Sequence, residues 1–303
     1  MRSAKLTTKK KTWRGHLFLS MQTAIICGGY VVGREAAVRL DPLFLTGLRA
    51  FGSAVIFAVL WRPFQSQGWI GFRWAELPRR DKVAVFKLAA LGILFNQLLF
   101  NWGLRYTTAA TTALIYALTP SVVYALSIWF FRKEKLLLSR IGALLLIYAG
   151  VVLALWHNLL HGTHGWGWLL ILTAVGFWAW YLHLSPPVLE KHGSIGITAV
   201  IMIVGGLMHL PTLGIGLLRQ NQIPLSPATW GSLGYLILGM SVASYLLLNA
   251  GLKYLSPTQV ALYISLQPVG TTLLSALLGQ EPLTWQLALA AALSTIGLIL
   301  FQR

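Results

Sequence analysis

The feature that most constrains this chain is a succession of long apolar runs set between charge clusters and turn signals. A helix needs about 20 predominantly apolar residues to cross the hydrocarbon of a bilayer. Ten such runs are read, at approximately 16–38, 43–62, 83–103, 109–131, 139–156, 166–185, 195–218, 229–251, 257–279 and 283–301. They are continuous rather than alternating with period two, so the expected spans are helices and not barrel strands. The sixth and seventh are the least regular, because His183, Pro186, Pro187, His209 and Pro211 interrupt them.

Composition agrees. The 303 residues are 56% hydrophobic and 10% charged, with mean hydropathy +0.69, whereas soluble domains carry about a quarter charged residues. The balance of 24 Lys and Arg against seven Asp and Glu, net +17, raises the question of nucleic acid. So apolar a chain leaves little soluble surface for a basic groove, and no nucleic-acid motif is present. The charge is first a topology signal. With the N-terminus inside, Arg2, Lys5, Lys9, Lys10, Lys11, Arg14, Arg73, Arg79, Arg80, Lys82, Arg132, Lys133, Lys135 and Arg140 fall in the cytoplasm. Only Arg34, Arg39, Arg105 and Arg219 fall on the far side. The expectation is a multi-pass protein of the cell membrane with both termini cytoplasmic. The first helix is read as retained, since no small-x-small cleavage site follows it. The single Cys27 excludes a disulfide framework and a Cys-rich zinc site.

The chain also repeats itself. Asn101-Trp102-Gly103-Leu104-Arg105-Tyr106 matches Asn249-Ala250-Gly251-Leu252-Lys253-Tyr254 at an offset of 148. The same offset carries Ala113-Leu114 onto Ala261-Leu262, Leu118 onto Leu266 and Pro120 onto Pro268. After a slip of one residue, Glu134 aligns with Glu281 and Gly150 with Gly297. A basic tail (1–15) would then precede two repeats, 16–158 and 159–303, of five helices each. Five is odd, so the second repeat is expected to enter the membrane from the opposite side. The fold class expected is an all-α integral membrane protein of ten transmembrane helices in two inverted five-helix repeats, an arrangement common among secondary transporters.

The segments from Ala109 to Gly150 and from Pro257 to Gly297 each show a helix, a central Pro, a short loop with Glu and a Gly-containing helix. With Ser-Leu-Gln-Pro at 265–268 and Gly-Gln-Glu-Pro-Leu-Thr at 279–284, the chain resembles the drug/metabolite transporter superfamily, specifically its EamA-type members. Phe131-Arg132-Lys133-Glu134-Lys135 departs from the usual Gly-Glu pattern in the first half. The resemblance implies a central cavity lined by the first, third, fourth, sixth, eighth and ninth helices, and metabolite export as the activity.

Candidate residues follow from polarity inside the spans. Pro120 and Pro268 deprive the carbonyls of Tyr116 and Ile264 of intrahelical partners, which suits a kink at the pathway. Gln97 and Asn101 share one face of the third helix, and under the repeat offset they correspond to Tyr245 and Asn249 in the eighth. The expected substrate-binding set is Tyr30, Gln97, Tyr116, Trp178, Tyr181, Tyr245, Tyr263 and Gln267, whose rings and amides suit an amphipathic solute. The expected structural or gating set is Pro120, Pro268, Asn101, Asn249, Arg49, Glu134 and Glu281. Arg49 is placed to snorkel or to pair with Glu35 or Asp41; Glu134 and Glu281 are placed as helix-end caps or gate contacts.

No Asp or Glu sits at mid-span, so a carboxylate proton relay is not visible, and uniport, exchange and proton coupling stay open. His157, His161 and His164 lack the carboxylate or thiolate company that a zinc site wants, and no metal or cofactor is expected. The bilayer and a small-molecule substrate are the expected partners, with a homodimer through Gly29 and Gly33 as an option. The leading expectation is a carrier for small metabolites such as amino acids. The alternatives are an intramembrane lipid- or prenyl-modifying enzyme, for which paired acids are lacking, or a channel.

Overall fold

The computed structural model describes residues 2–106, 115–161, 166–220, 226–277 and 285–302. Among these residues there is no strand, and the helical segments fall into ten consecutive rods at the places of the ten apolar runs. They are α1 (Arg2–Arg39), α2 (Pro42–Ser66) and α3 (Arg79–Leu88, π-helical Ala89–Phe95, Asn96–Arg105). Next come α4 (Ile115–Phe130), α5 (Leu138–His161), α6 (Gly167–His192) and α7 (Ser194–Met208 with Leu210–Arg219). Last are α8 (Pro227–Tyr235, π-helical Leu236–Ala243, Ser244–Gly251), α9 (Pro257–Leu277) and α10 (Trp285–Gln302).

Local chemistry sets the ends. Asp41 caps α2 by accepting the Leu43 amide at 2.9 Å, with Pro42 at the first helical position. Gly193, at φ +89°, closes α6 and turns the chain directly into α7. The structure differs from expectation in three places. The basic tail is helical back to Arg2, because nothing between it and the first span breaks a helix. α6 continues through Pro186 and Pro187 to His192 instead of stopping at 185. α7 bends by 45° at His209, where Pro211 opens the second segment.

Among the described residues, four helices are both long and apolar enough to cross a bilayer on their own: Pro42–Ser66, Arg79–Gly103, Gly167–His192 and Pro227–Gly251. The bent α7 is a fifth, and Ile115–Phe130, Leu138–Leu153 and Ala288–Phe301 are shorter apolar helices. α9 is more polar because it carries Thr258, Ser265 and Gln267, all buried against other helices rather than against lipid.

The packing has the symmetry of the repeat. α1 lies on α8 and α9, and its counterpart α6 lies on α3 and α4. α2 packs on α7, α4 on α9 and α5 on α10, each helix on its own equivalent. These pairs are antiparallel. Gly47 meets Leu213 while Gly216 meets Phe44. Ser265 reaches the carbonyl of Ala117 while Thr258 reaches Ser127. In the third pair, a Cβ on Gly150 would stand 2.7 Å from the Ala290 carbonyl oxygen, and one on Gly297 2.7 Å from that of Ala143. Backbone on both sides leaves no room there for a side chain.

Gly28 and Gly29 lie against Tyr235 and Met240 of α8. Both glycines thus let α8 come close to α1 within one chain.

Candidate functional site

The π-helical stretches of α3 and α8 stand 148 residues apart in the repeat, and each widens a helix where polar side chains arrive from its neighbours. Such stretches misalign backbone carbonyls, and they recur at functional positions. In α3 the Tyr245 hydroxyl donates to the Gly92 carbonyl at 3.0 Å, and His209 Nε2 reaches the Ile93 carbonyl at 3.1 Å. In α8 the Arg49 Nε donates to the Ser241 hydroxyl at 2.8 Å. Arg49 thus reaches from α2 into α8, and Asp41 serves as a helix cap.

Around Tyr245 lies an aromatic cluster. Trp178 and Tyr181, three residues apart on α6, stack with centroids 5.0 Å apart and planes 8° from parallel. Tyr245 stands edge-on to both, at 5.8 Å from Trp178 and 6.4 Å from Tyr181, the geometry that ring quadrupoles favour. Gln97 Nε2 donates to the Tyr245 hydroxyl at 3.3 Å, and Gln97 Oε1 is buried with no partner among the described residues. The Tyr181 hydroxyl donates to Asn249 Oδ1 at 2.9 Å, and Asn249 Nδ2 donates to the Thr198 hydroxyl at 2.8 Å. Asn249 therefore ties α6, α7 and α8 together, while Asn101 donates to the Gln97 carbonyl of its own helix at 2.8 Å.

Five expected residues are thus brought together: Gln97, Trp178, Tyr181, Tyr245 and Asn249. The others are not. Tyr116 accepts from Asn96 at 2.8 Å and stands edge-on to Phe100 on the α3–α4 seam. Asn96 also donates to the Ala174 carbonyl of α6 at 2.9 Å. Tyr263 and Gln267 lie on the α1–α9 seam. The Tyr263 hydroxyl is 2.8 Å from His16 Nδ1, and the Gln267 carbonyl accepts from the Cys27 thiol at 3.5 Å. The backbone of Tyr30 is in α1, but its side chain is outside the described residues, as is Glu281.

The two prolines differ. Pro120 follows a break at Leu118, where the Thr119 hydroxyl takes up the carbonyl of Tyr116, whereas Pro268 lies inside the unbroken α9. Glu134 pairs with Arg140 of α5 and accepts from Thr258 of α9 at 2.6 Å, so it joins the α4–α5 connection to the second half. Asp81 at the start of α3 binds Lys191 at 2.6 Å and His192 at 2.7 Å at the end of α6.

Thr198, Thr258, Ser127, His16 and the Asp81–Lys191–His192 group escaped the sequence reading. Hydroxyls in apolar helices carry no pattern of their own. Asp81 does carry a signal, as one of seven acids in a basic chain. Among the described residues no three His, Cys, Asp or Glu side chains gather as metal ligands. His164 lies outside them, and so do the side chains of His157 and His161.

Comparison with known proteins places this geometry in a family. The chain is 24% identical over 228 residues to the "Uncharacterized transporter YyaM" of Bacillus subtilis (strain 168), covering 73% of each. It is 28% identical over 265 residues to an "Uncharacterized transporter" of Archaeoglobus fulgidus, covering 85% of this chain and 86% of that one. A protein known from a crystal structure superposes with a TM-score of 0.75 over 96% of both chains at 16% identity, which establishes the shared fold. The EamA-like transporter family matches twice, over residues 13–156 and again over 165–302. An all-helical chain with apolar helices of membrane-crossing length that matches this family in both halves belongs to the EamA-like transporters, and is a multi-pass membrane transporter rather than an enzyme.

Proposed function

We propose that the protein is an alternating-access carrier that exports small amphipathic metabolites, amino acids among them, from a site between two inverted repeats, 16–158 and 159–303. The observation that carries the reading is the Gln97–Tyr245 hydrogen bond, 3.3 Å long, between residues that correspond in the two halves. It lies beside the stacked Trp178 and Tyr181, where the halves meet.

Antiparallel packing of α2 on α7, α4 on α9 and α5 on α10 supports the inversion, since equivalent helices of an inverted repeat run in opposite directions. The site offers aromatic faces, an unpartnered amide oxygen and, nearby, the cationic Arg49. A solute with an apolar body and both donor and acceptor groups suits that lining. The cluster is closed as it stands, with Trp178 only 8% exposed, so turnover requires the halves to part there. The excess of Lys and Arg in the connections read as internal supports a cell-membrane protein with both termini in the cytoplasm.

The test is uptake of labelled amino acids and amphipathic cations into proteoliposomes of the purified protein. The expected result is saturable uptake of at least one solute, reduced roughly tenfold or more in Gln97→Ala and Trp178→Ala variants that remain folded. Saturation separates a carrier from a channel. Normal uptake in both variants would move the site elsewhere.

A further inference from the structure

At the end of the bundle that holds the α4–α5 connection, four side chains form a continuous hydrogen-bonded chain. His183 Nε2 is 2.8 Å from Ser127 Oγ, Ser127 Oγ is 3.2 Å from Thr258 Oγ1, and Thr258 Oγ1 is 2.6 Å from Glu134 Oε1. His183, Ser127 and Thr258 are at most 1% exposed. Ser127 and Glu134 belong to the first half and His183 and Thr258 to the second, so every link crosses between the halves.

The hydrogens can be counted. His183 Nδ1 faces the Ala179 carbonyl at 2.9 Å, which only accepts, so Nδ1 carries a hydrogen. Three links remain, and the two hydroxyls supply one hydrogen each. With Glu134 ionised and His183 Nε2 bare, both ends accept, and one of the three links has no hydrogen. One added proton completes the chain. Placed on Nε2, it lets the imidazolium donate to Ser127, Ser127 to Thr258 and Thr258 to the carboxylate. Placed on Glu134, it lets the carboxylic acid donate to Thr258, Thr258 to Ser127 and Ser127 to a neutral His183. The two arrangements interconvert by shifting each hydrogen along one link, and a second added proton would set two donors against one another.

We infer that His183, Ser127, Thr258 and Glu134 are a one-proton binding site that latches the two halves together, closed when the proton is bound and loosened when it leaves. Combined with the carrier reading above, on which only this last step rests, it makes a proton the ion coupled to transport.

Among the described residues, few other ionisable groups surround the chain of four. The charges that reach His183 are Lys133 and Glu134 of the α4–α5 connection. Arg140 of α5 pairs with Glu134, and Phe131 stacks on the imidazole at 4.5 Å. α9 contributes Thr258. Asp81 of α3 is engaged by Lys191 and His192, about two turns further along α6.

The test is amide hydrogen–deuterium exchange of the full chain in lipid nanodiscs, corrected for intrinsic rates. It is read on peptides covering 126–137 and 255–262 at pH about 5.5 and about 8.5, either side of the ordinary histidine range. The wild type should exchange several-fold faster at the higher pH. Glu134→Gln puts a permanent donor at the carboxylate end, completes the chain without a proton and should exchange slowly at both pH values. Ser127→Ala severs the chain and should exchange fast at both. A merely structural contact would loosen in both variants alike. Equal corrected rates in the wild type at the two pH values overturn the proposal, as does fast exchange in Glu134→Gln matching Ser127→Ala. No transported solute enters this measurement, so failure of the carrier reading would leave its result standing.

Discussion

Gln97 and Tyr245 hold the same position in the two halves of the chain and are hydrogen-bonded to each other at 3.3 Å. The same holds for Ala117 and Ser265, also 148 residues apart, at 2.8 Å. A residue touches its own counterpart only near the axis that relates two copies, so these two contacts mark that axis.

The Tyr245 hydroxyl also donates to the Gly92 carbonyl within the π-helical stretch of α3. Tyr245→Phe leaves that buried carbonyl and the Gln97 amide without a partner. A loss of about 1–3 kcal/mol is expected, read as a lower unfolding temperature in detergent. Gln97→Leu combined with Tyr245→Phe should cost less than the sum of the single changes, because removing both polar partners leaves fewer orphans.

The equivalent asparagines should separate cleanly. Asn249 bridges Tyr181 and Thr198 and is fully buried, so Asn249→Ala strands the Tyr181 hydroxyl, while Thr198 keeps its bond to the Ser194 carbonyl, and should cost about 1–3 kcal/mol. Asn101 bonds its own helix from a half-buried position, and Asn101→Ala should cost less than about 1 kcal/mol. Thermal unfolding of the two variants, measured side by side, checks the order.

On α5, Gly150 and Gly142 offer a control pair within one helix. Gly150→Ala drives a methyl into the α10 backbone and should destabilise by about 1–3 kcal/mol. A methyl added at Gly142 would meet nothing within 4 Å, so Gly142→Ala should be neutral or stabilising by up to about 1 kcal/mol. Denaturation in mixed micelles reads both, and Gly297→Ala should fall with Gly150→Ala.

The turn between α6 and α7 rests on Gly193 at φ +89°. An L-residue there meets the steric penalty of a positive φ, so Gly193→Ala should cost about 1–2 kcal/mol. Protease nicking near residues 190–195 would report the weakened joint, and a cutting rate equal to wild type would count against it.

Much of this is legible in the chain itself. The apolar runs mark all ten rods, and the matched Asn, Gly, Tyr and Pro residues mark the pairing that brings Gln97 to Tyr245. What stays hidden is long-range. That Trp178 and Tyr181 join Tyr245 while Tyr263 turns to His16 depends on how α1 and α6 dock, and single-helix periodicity is silent about docking. Ser127 and Thr258 look like ordinary small residues in a membrane helix until packing sets them between a histidine and a carboxylate. Pro186 and Pro187 mislead in the other direction, since α6 tolerates them to its end at His192.

The π-helical stretches at Ala89–Phe95 and Leu236–Ala243 fall at corresponding places in the two halves, each just ahead of Gln97 or Tyr245. One residue more or less turns everything beyond it by about 100° on an α-helix. Deleting a single residue inside either stretch would leave an apolar helix of spanning length, but it would aim Gln97 or Tyr245 away from the other. The meeting of Gln97 with Tyr245 therefore depends on an irregularity that both halves carry.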